Sequence, residues 1–312
     1  MYIDYSRELT ETETAIRSMS NSAMADRQAW LQERRSGLGG SDVAAIIGAS
    51  PWKTYAALWA EKTGRWQEKD ISASPSVRFG VDNEQKVAEL FAEATGKKVY
   101  ETGHFHRKDA FWMQASPDRL IFNEAAGLEC KTASPSYAHE WSEGNIPDSY
   151  YCQVQWYMAV MGFDVWYIAC LFRDTERFIW RTIERNDAFI KYMEQKASQF
   201  WGLVQTGTFP PNDGSMDYLK LVQEEYGLVP NTVTKLPKGD IELCKEAMLI
   251  DMEIERLKSK KQFIMNDLGR HLGTAESGVA GSYLVKWVSP NSRNKYKIVS
   301  IGKVAYQDTL FN

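Results

Sequence analysis

The 312-residue chain is long enough for one principal domain with an appendage, and its 44% hydrophobic content suffices for a large buried core. A net charge of −4 gives no global attraction to nucleic acid, so any nucleic-acid surface must be a local basic patch on an acidic molecule. The four cysteines, Cys130, Cys152, Cys170 and Cys244, include no CxxC pair and read as reduced, buried small hydrophobes of a cytoplasmic protein, which excludes a disulfide framework and a zinc or iron–sulfur site. No apolar stretch approaches the ~18 residues of a membrane span, and Met1 to Asn21 lacks the hydrophobic segment of a secretory signal, so no membrane partner is expected.

Residues 1–25 form a polar, weakly ordered lead-in, and a principal domain spans 26–212. Asp26 to Arg35 is a short helix candidate, followed by the glycine-rich turn Ser36 to Gly40 and a helix from Val43 to Gly48 capped by Ser41 or Asp42. Pro51 opens a helix through Trp59 that ends near Gly64, and Arg78 to Thr95 keeps helical periodicity up to Gly96. The pattern then changes to period two. Lys97 to Phe105, Phe111 to Ala115, Arg119 to Phe122 and Leu128 to Thr132 are predicted strands of a mostly antiparallel meander, the last two joined by the turn Asn123 to Gly127. A helix from Ser149 to Gly162 precedes the unbroken apolar run Val165 to Phe172, of the sort that makes a strand covered on both faces. A strand, Arg177 to Ile183, and a helix, Asp187 to Thr206, complete a mixed, twisted sheet flanked by helices, an α/β fold.

Pro210, Pro211, Asn212 and Gly214 mark a boundary, beyond which 213–312 form a C-terminal helical and β-hairpin extension. Asp240 to Leu272 is a long helix whose apolar seam, Ile250, Ile254, Leu257, Ile264 and Leu268, needs a partner helix or sheet. Tyr283 to Val288 and Lys295 to Ile301 form a hairpin around the turn Ser289 to Asn294. From Arg256 to Lys303 ten Lys/Arg stand against two acids, which makes either a solvated basic face or a surface for DNA or a partner.

The informative segment is Ser116-Pro117-Asp118, then ten residues, then Glu129-Cys130-Lys131. Strand alternation sends Glu129 and Lys131 to one face and Leu128 and Cys130 to the other, and pairing across the Asn123 to Gly127 turn brings Asp118 to that face. Two acids held close repel unless a proton or cation sits between them. Magnesium, a hard ion that prefers carboxylate oxygens and keeps waters for phosphate substrates, is the expected cofactor, with manganese as a substitute. Lys131 then orients or deprotonates the attacking water, and the chemistry expected is phosphodiester hydrolysis. Glu84 shares a helix face with Val87, Ala88 and Phe91, where an acid is costly unless a metal site compensates it. Gln153 and Tyr157 lie four apart on one helix, so a polar amide faces inward to bond the water or a phosphate. Taken singly, these residues also fit blander roles: surface acids, a helix-terminal glutamate, a satisfied core amide.

These blocks together resemble the lambda exonuclease and YqaJ-type branch of the PD-(D/E)XK nuclease superfamily. Pro117-Asp118 and Glu129-Cys130-Lys131 match its signature; Arg78-Phe79-Gly80-Val81-Asp82-Asn83-Glu84, Gln153-Val154-Gln155-Trp156-Tyr157, Arg34-Arg35-Ser36-Gly37-Leu38-Gly39-Gly40-Ser41-Asp42 and Ser50-Pro51-Trp52-Lys53 extend it, over roughly Ala29 to Leu203. The resemblance implies a restriction-endonuclease-like sheet and a 5′ to 3′ exonuclease on double-stranded DNA ends, a phage or prophage protein working with a single-strand annealing protein and assembling as a homo-oligomer, a trimer. It implies a catalytic set of Glu84, Asp118, Glu129, Lys131 and Gln153, with metal on Asp118, Glu129, the Cys130 backbone carbonyl and Glu84 through water. It places the 5′-terminal phosphate on Arg34, Ser41 and Ser116. The residues agree in part, because Gly39-Gly40-Ser41-Asp42 opens a helix whose free N–H groups favour an anion, although which of Arg34 and Arg35 points inward stays open. Arg35, Trp52 and Tyr157 are candidate DNA contacts, Trp52 standing on a loop before a helix where it could wedge near a DNA end. The rivals are an endonuclease of the same superfamily and a non-catalytic DNA-binding recombination module that keeps the fold.

Overall fold

In a computed structural model, which describes residues 34–67, 71–173, 175, 177–288 and 298–303, the apolar run Val165–Phe172 is the strand on which the main sheet is built. Strands β1 (Val99–Tyr100), β4 (Arg119–Ile121), β5 (Ala126–Ala133), β6 (Val165–Phe172) and β7 (Phe178–Glu184) lie in the order β1-β4-β5-β6-β7. Only the β5–β6 pair among these is parallel, with Glu129 opposite Ile168 and Lys131 opposite Cys170; the others are antiparallel, so the sheet is mixed. A parallel neighbour needs a crossover, and the 3-10 stretch Pro135–Gly144 and helix α4 (Asp148–Met161) supply it.

Strand β6 is apolar throughout because both of its faces are covered. Tyr167, Ala169 and Leu171 pack with Val87, Ala88 and Phe91 of helix α3 (Pro75–Thr95). Ile168, Cys170 and Phe172 pack with Trp141 on the opposite face, while Trp166 joins the larger core formed with α1 (Gly40–Ile46), α2 (Tyr55–Lys62), α4 and α5 (Asp187–Thr206). Helices α3, α4 and α5 each end at a left-handed glycine, Gly96, Gly162 and Gly207.

Several expected elements are corrected. Lys97 to Phe105 is two strands, β1 and β2 (Phe105–Arg107), and β2 pairs with β3 (Ala110–Ala115) in a separate two-stranded sheet, so the four-strand meander does not form. Helix α1 begins at Gly40, because Asp42 at its third position accepts the Gly39 N–H at 3.0 Å and caps from inside. Helix α2 begins at Tyr55, since Ser50 Oγ accepts the Trp52 and Lys53 N–H groups in a turn and Thr54 is the cap. Helix α6 (Met216–Tyr226), unannounced in the sequence reading and lying beyond the expected boundary, belongs with the first unit: Leu221 is buried, and Thr54 Oγ1 donates to Asp217 at 2.8 Å. The helix expected from Asp26, the lead-in, Trp30 and the turn Ser289 to Asn294 lie outside the described residues, apart from helical Arg34 and Arg35.

The chain divides into Met1–Leu228 and Val229–Asn312. The second unit holds helix α7 (Asp240–Leu272) and a three-stranded antiparallel sheet in the order β10-β9-β8, formed by β8 (Ser277–Ala280), β9 (Tyr283–Val288) and β10 (Ile298–Lys303). Cys152 and Cys170 are buried, as expected, but Cys244 is exposed. No helix among the described residues is long and apolar enough to cross a membrane.

Gly127 on β5 lies against the indole of fully buried Trp166, where a Cβ would stand 2.2 Å from a ring carbon. Gly127→Ala should therefore lower stability by roughly 1–3 kcal/mol through overpacking, read from the urea unfolding midpoint; a wild-type midpoint would contradict this packing.

Candidate active site

Strand β5 carries the centre of the site. Leu128 and Cys130 face helix α3, whereas Glu129 and Lys131 project to the α4 side. Lys131 Nζ lies 2.5 Å from Glu129 Oε1 and 4.8 Å from the centre of the Tyr150 ring. Gln153 Nε2 on α4 donates to the same Glu129 oxygen at 2.7 Å and to Tyr157 Oη at 2.9 Å. Tyr157 Oη donates in turn to the Ser116 carbonyl at 3.1 Å. Asp118 enters from the loop before β4, its Oδ2 accepting the Cys130 N–H at 2.7 Å across the ladder.

The electrostatics follow from this crowding. Burial, and then the neighbouring Glu129 carboxylate, push Asp118 well above the usual carboxylate range, against the opposing pull of Lys131 and the Cys130 N–H. Burial also pushes Glu129 up, against Lys131. Burial alone would discharge Lys131, but Glu129 and Asp118 outweigh it and hold the ammonium firmly protonated. Burial and Glu129 likewise keep the Tyr157 phenol protonated. Glu129 is 2% exposed, and its second oxygen, Oε2, is buried without a hydrogen bond from any described residue.

Glu84 reaches the site from α3, on the other side of the sheet. Arg119, 5% exposed, gathers it: Nη1 donates to Glu84 Oε1 and to the Asp118 carbonyl, each at 2.6 Å, and Nη2 donates to Gln85 Oε1 at 2.9 Å. Among the described residues no three His, Cys, Asp or Glu side chains gather as a metal cage. Asp118 and Glu129 converge, and the Glu84 carboxylate acts on both.

The proposed phosphate residues border this cluster. A Cβ on Gly40 would lie 2.8 Å from Gln153 Cγ and 3.0 Å from the Tyr157 ring, so only glycine lets the start of α1, with exposed Ser41, close on the Gln153–Tyr157 pair. Ser116 meets the same pair through its carbonyl and pairs its Oγ with His104 Nδ1 at 2.7 Å. Arg34, Arg35, Asp42, Lys53, Glu61 and Lys62 line a small cleft beside α1. Lys62 Nζ sits 2.8 Å from Asp42 and donates to the Arg34 and Gly37 carbonyls. Although burial pushes Asp42 up, Lys62 and Arg34 outweigh it and hold the carboxylate below its ordinary range. Arg34 is half-buried and acts on Asp42, while Arg35 is exposed. The anion expected at the α1 N-terminus is in part already present as the Asp42 carboxylate, and the cleft carries four cations against two acids, with Lys53 paired to Glu61 and Lys62 to Asp42. Trp52, 71% exposed, stacks on Tyr150 at 6.2 Å and so stands one ring away from Lys131.

Sequence reasoning missed Arg119 and Tyr150 in the site and the Asp42–Lys62 pair. Arg119 left a usable sign, a charge opening the otherwise apolar Leu120-Ile121-Phe122 run. Tyr150 and Lys62 carried none, since only the fold brings them to Lys131 and Asp42.

Comparisons with known proteins agree on the ancestry. Residues 29–164 match the YqaJ-like viral recombinase domain. The chain is 35% identical over 272 residues to the uncharacterized protein YqaJ of Bacillus subtilis, covering 86% of this chain and 84% of that one. Its fold is similar to that of an alkaline exonuclease from Laribacter hongkongensis, solved alone and in complex with dAMP, with a TM-score of 0.50 and 21% identity over 64% of this chain and 98% of that one. The chain belongs to the YqaJ-like viral recombinase family.

Proposed function

We propose that the protein is a magnesium-dependent exonuclease that degrades double-stranded DNA from its ends in the 5′ to 3′ direction, leaving 3′ single strands for phage-type recombination. The observation that carries this reading is the convergence of half-buried Asp118 and buried Glu129 beside one lysine, with Glu129 Oε2 orphaned. A carboxylate pair that shares too little positive charge and keeps a buried lone oxygen fits a divalent cation. Asp118, Glu129 and the Cys130 carbonyl would hold it, with Glu84 acting through water once Arg119 releases or shares it. When bound, the ion supplies activation of water and neutralisation of the scissile phosphate.

The chain's own groups supply positioning. Lys131, set beside Glu129, orients or deprotonates the attacking water and stabilises charge gathering on the phosphate. Gln153 holds Glu129 in one rotamer and couples it to Tyr157, whose protonated phenol ties α4 to the Ser116 loop. Hydrolysis proceeds by direct attack of water, with no covalent enzyme intermediate. Arg34, Ser41 and Ser116 bind the 5′-terminal phosphate, assisted by the cleft cations; exposed Arg35 and Trp52 contact the duplex end, whereas Tyr157, expected to do so, is buried in the core and supports the site from within. Partnership with a single-strand annealing protein, assembly of the nuclease domain as a trimer, and work in the cytoplasm of a bacterial host belong to the same reading.

Lys131→Ala, assayed on linear duplex with magnesium, should retain DNA binding while cleavage falls by roughly 10²–10³-fold or more; near-normal cleavage would remove Lys131 from the mechanism. Asp118→Asn should abolish turnover yet make the chelated protein more stable, by about 1 kcal/mol or 2–4 °C in melting temperature, because it relieves carboxylate repulsion. A carboxyl raised on folding contributes stability below pH ~4 and loses it as pH rises, so the advantage of Asp118→Asn should be largest at neutral and alkaline pH and vanish near pH ~4; a pH-independent difference would contradict the pairing. Linear duplexes with 5′-phosphate should be digested faster than those with 5′-hydroxyl, and closed circles not at all. Equal rates on the two ends would reject the Arg34, Ser41 and Ser116 assignment, and cleaved circles would indicate an endonuclease.

A further inference from the structure

Helix α7 extends about 50 Å, at 1.5 Å per residue over its 33 residues. The seam recognised in the sequence is longer than its first five members. Leu243, Ala247, Ile250, Ile254, Leu257, Lys261, Ile264 and Leu268 alternate spacings of four and three, which is a heptad repeat with Leu243, Ile250, Leu257 and Ile264 at d and Ala247, Ile254, Lys261 and Leu268 at a. All four d residues are exposed, from Ile264 at 46% to Leu243 at 63%, and Ile254 is 42% exposed. The small sheet of the same unit closes on Gly269 through Trp287 and Val299, and Lys261 of the seam borders the cleft there.

Charge along the helix selects the occupant. Residues 240–256 carry six acids and two bases, whereas 257–272 carry four bases and one acid. Two copies in parallel would set acidic half on acidic half and Lys261 on Lys261. Reversed, each acidic half lies on a basic half, and the hydrophobic register closes too: pairing Leu243 with Leu268 of a second copy sets Ala247 against Ile264, Ile250 against Lys261 and Ile254 against Leu257. Every a position then meets a d position. Flanking the seam, Asp251 faces Lys258 and Glu253 faces Lys260 of the second copy.

We propose that α7 pairs with α7 of a second copy of this chain as an antiparallel two-stranded coiled coil, joining two nuclease units through their C-terminal extensions. Lys261, the one polar a residue, restricts register at some cost in stability. This pairing does not depend on the nuclease reading.

The test is the mass of the full chain in solution, by sedimentation velocity and light scattering. The wild-type protein should form an assembly with an even number of copies, and Ile254→Glu/Leu257→Glu, at exposed positions, should halve its mass while helical content and the melting of the first unit stay as in wild type. A monomeric or odd-numbered wild-type assembly, or a variant that keeps the wild-type mass, overturns the proposal. Orientation has its own readout. Asp251→Lys/Glu253→Lys should weaken association by roughly tenfold or more, and adding Lys258→Glu/Lys260→Glu in the same chain should restore it. Failure of that restoration overturns the antiparallel order, and Lys261→Leu should tighten association in either case, so an unchanged or weakened association rejects the seam itself.

Discussion

Two carboxylates, one buried and one half-buried, set together against a single ammonium constrain the rest of the site. Glu129 raises the protonation of Asp118, Glu84 raises that of both, and Lys131 pulls both the other way. Such a cluster is costly in a fold and persists only where surrounding structure enforces it. Here the enforcement comes from the backbone: the Cys130 N–H fixes Asp118, the strand pleat fixes Glu129 and Lys131, and Gln153 and Tyr157 close the remaining side.

The scaffold explains why the enforcement is rigid. The parallel β5–β6 pair puts the strand that carries Glu129 and Lys131 beside a strand buried along nearly its whole length, and the crossover returns α4 over the face where those two side chains emerge. Glycines set the close approaches, Gly127 against Trp166 behind the site and Gly40 against Gln153 and Tyr157 in front of it. Helix α1 thus lies between the small basic cleft that Asp42 lines and the Gln153–Tyr157 pair that Gly40 meets.

Much of this was legible from residue patterns, for identifiable reasons. The bounds of Val165–Phe172, Asp187–Thr206 and Asp240–Leu272 coincide with the sequence reading because an unbroken apolar run and long amphipathic periods are signals local to each segment. The Asp118, Glu129, Lys131 grouping was legible because strand alternation and one tight turn are enough to assemble it. What escaped depends on distant partners. Nothing local says that β2 and β3 leave the main sheet, nor that Arg119 bonds Glu84 beside the Asp118 carbonyl. Helix α6 had a readable start in Ser215, whose Oγ accepts the Tyr218 N–H, but the prolines before it outweighed that cap as a sign of a boundary.

The central claim is that Asp118 and Glu129 form a vacancy for one or two divalent cations. Calorimetric titration of magnesium into the chelated, DNA-free protein tests it most directly, with Glu129→Gln as the control. Saturable binding by the wild type that the substitution abolishes is the predicted result. A titration with no saturable heat, or one that Glu129→Gln leaves unaltered, would contradict the account.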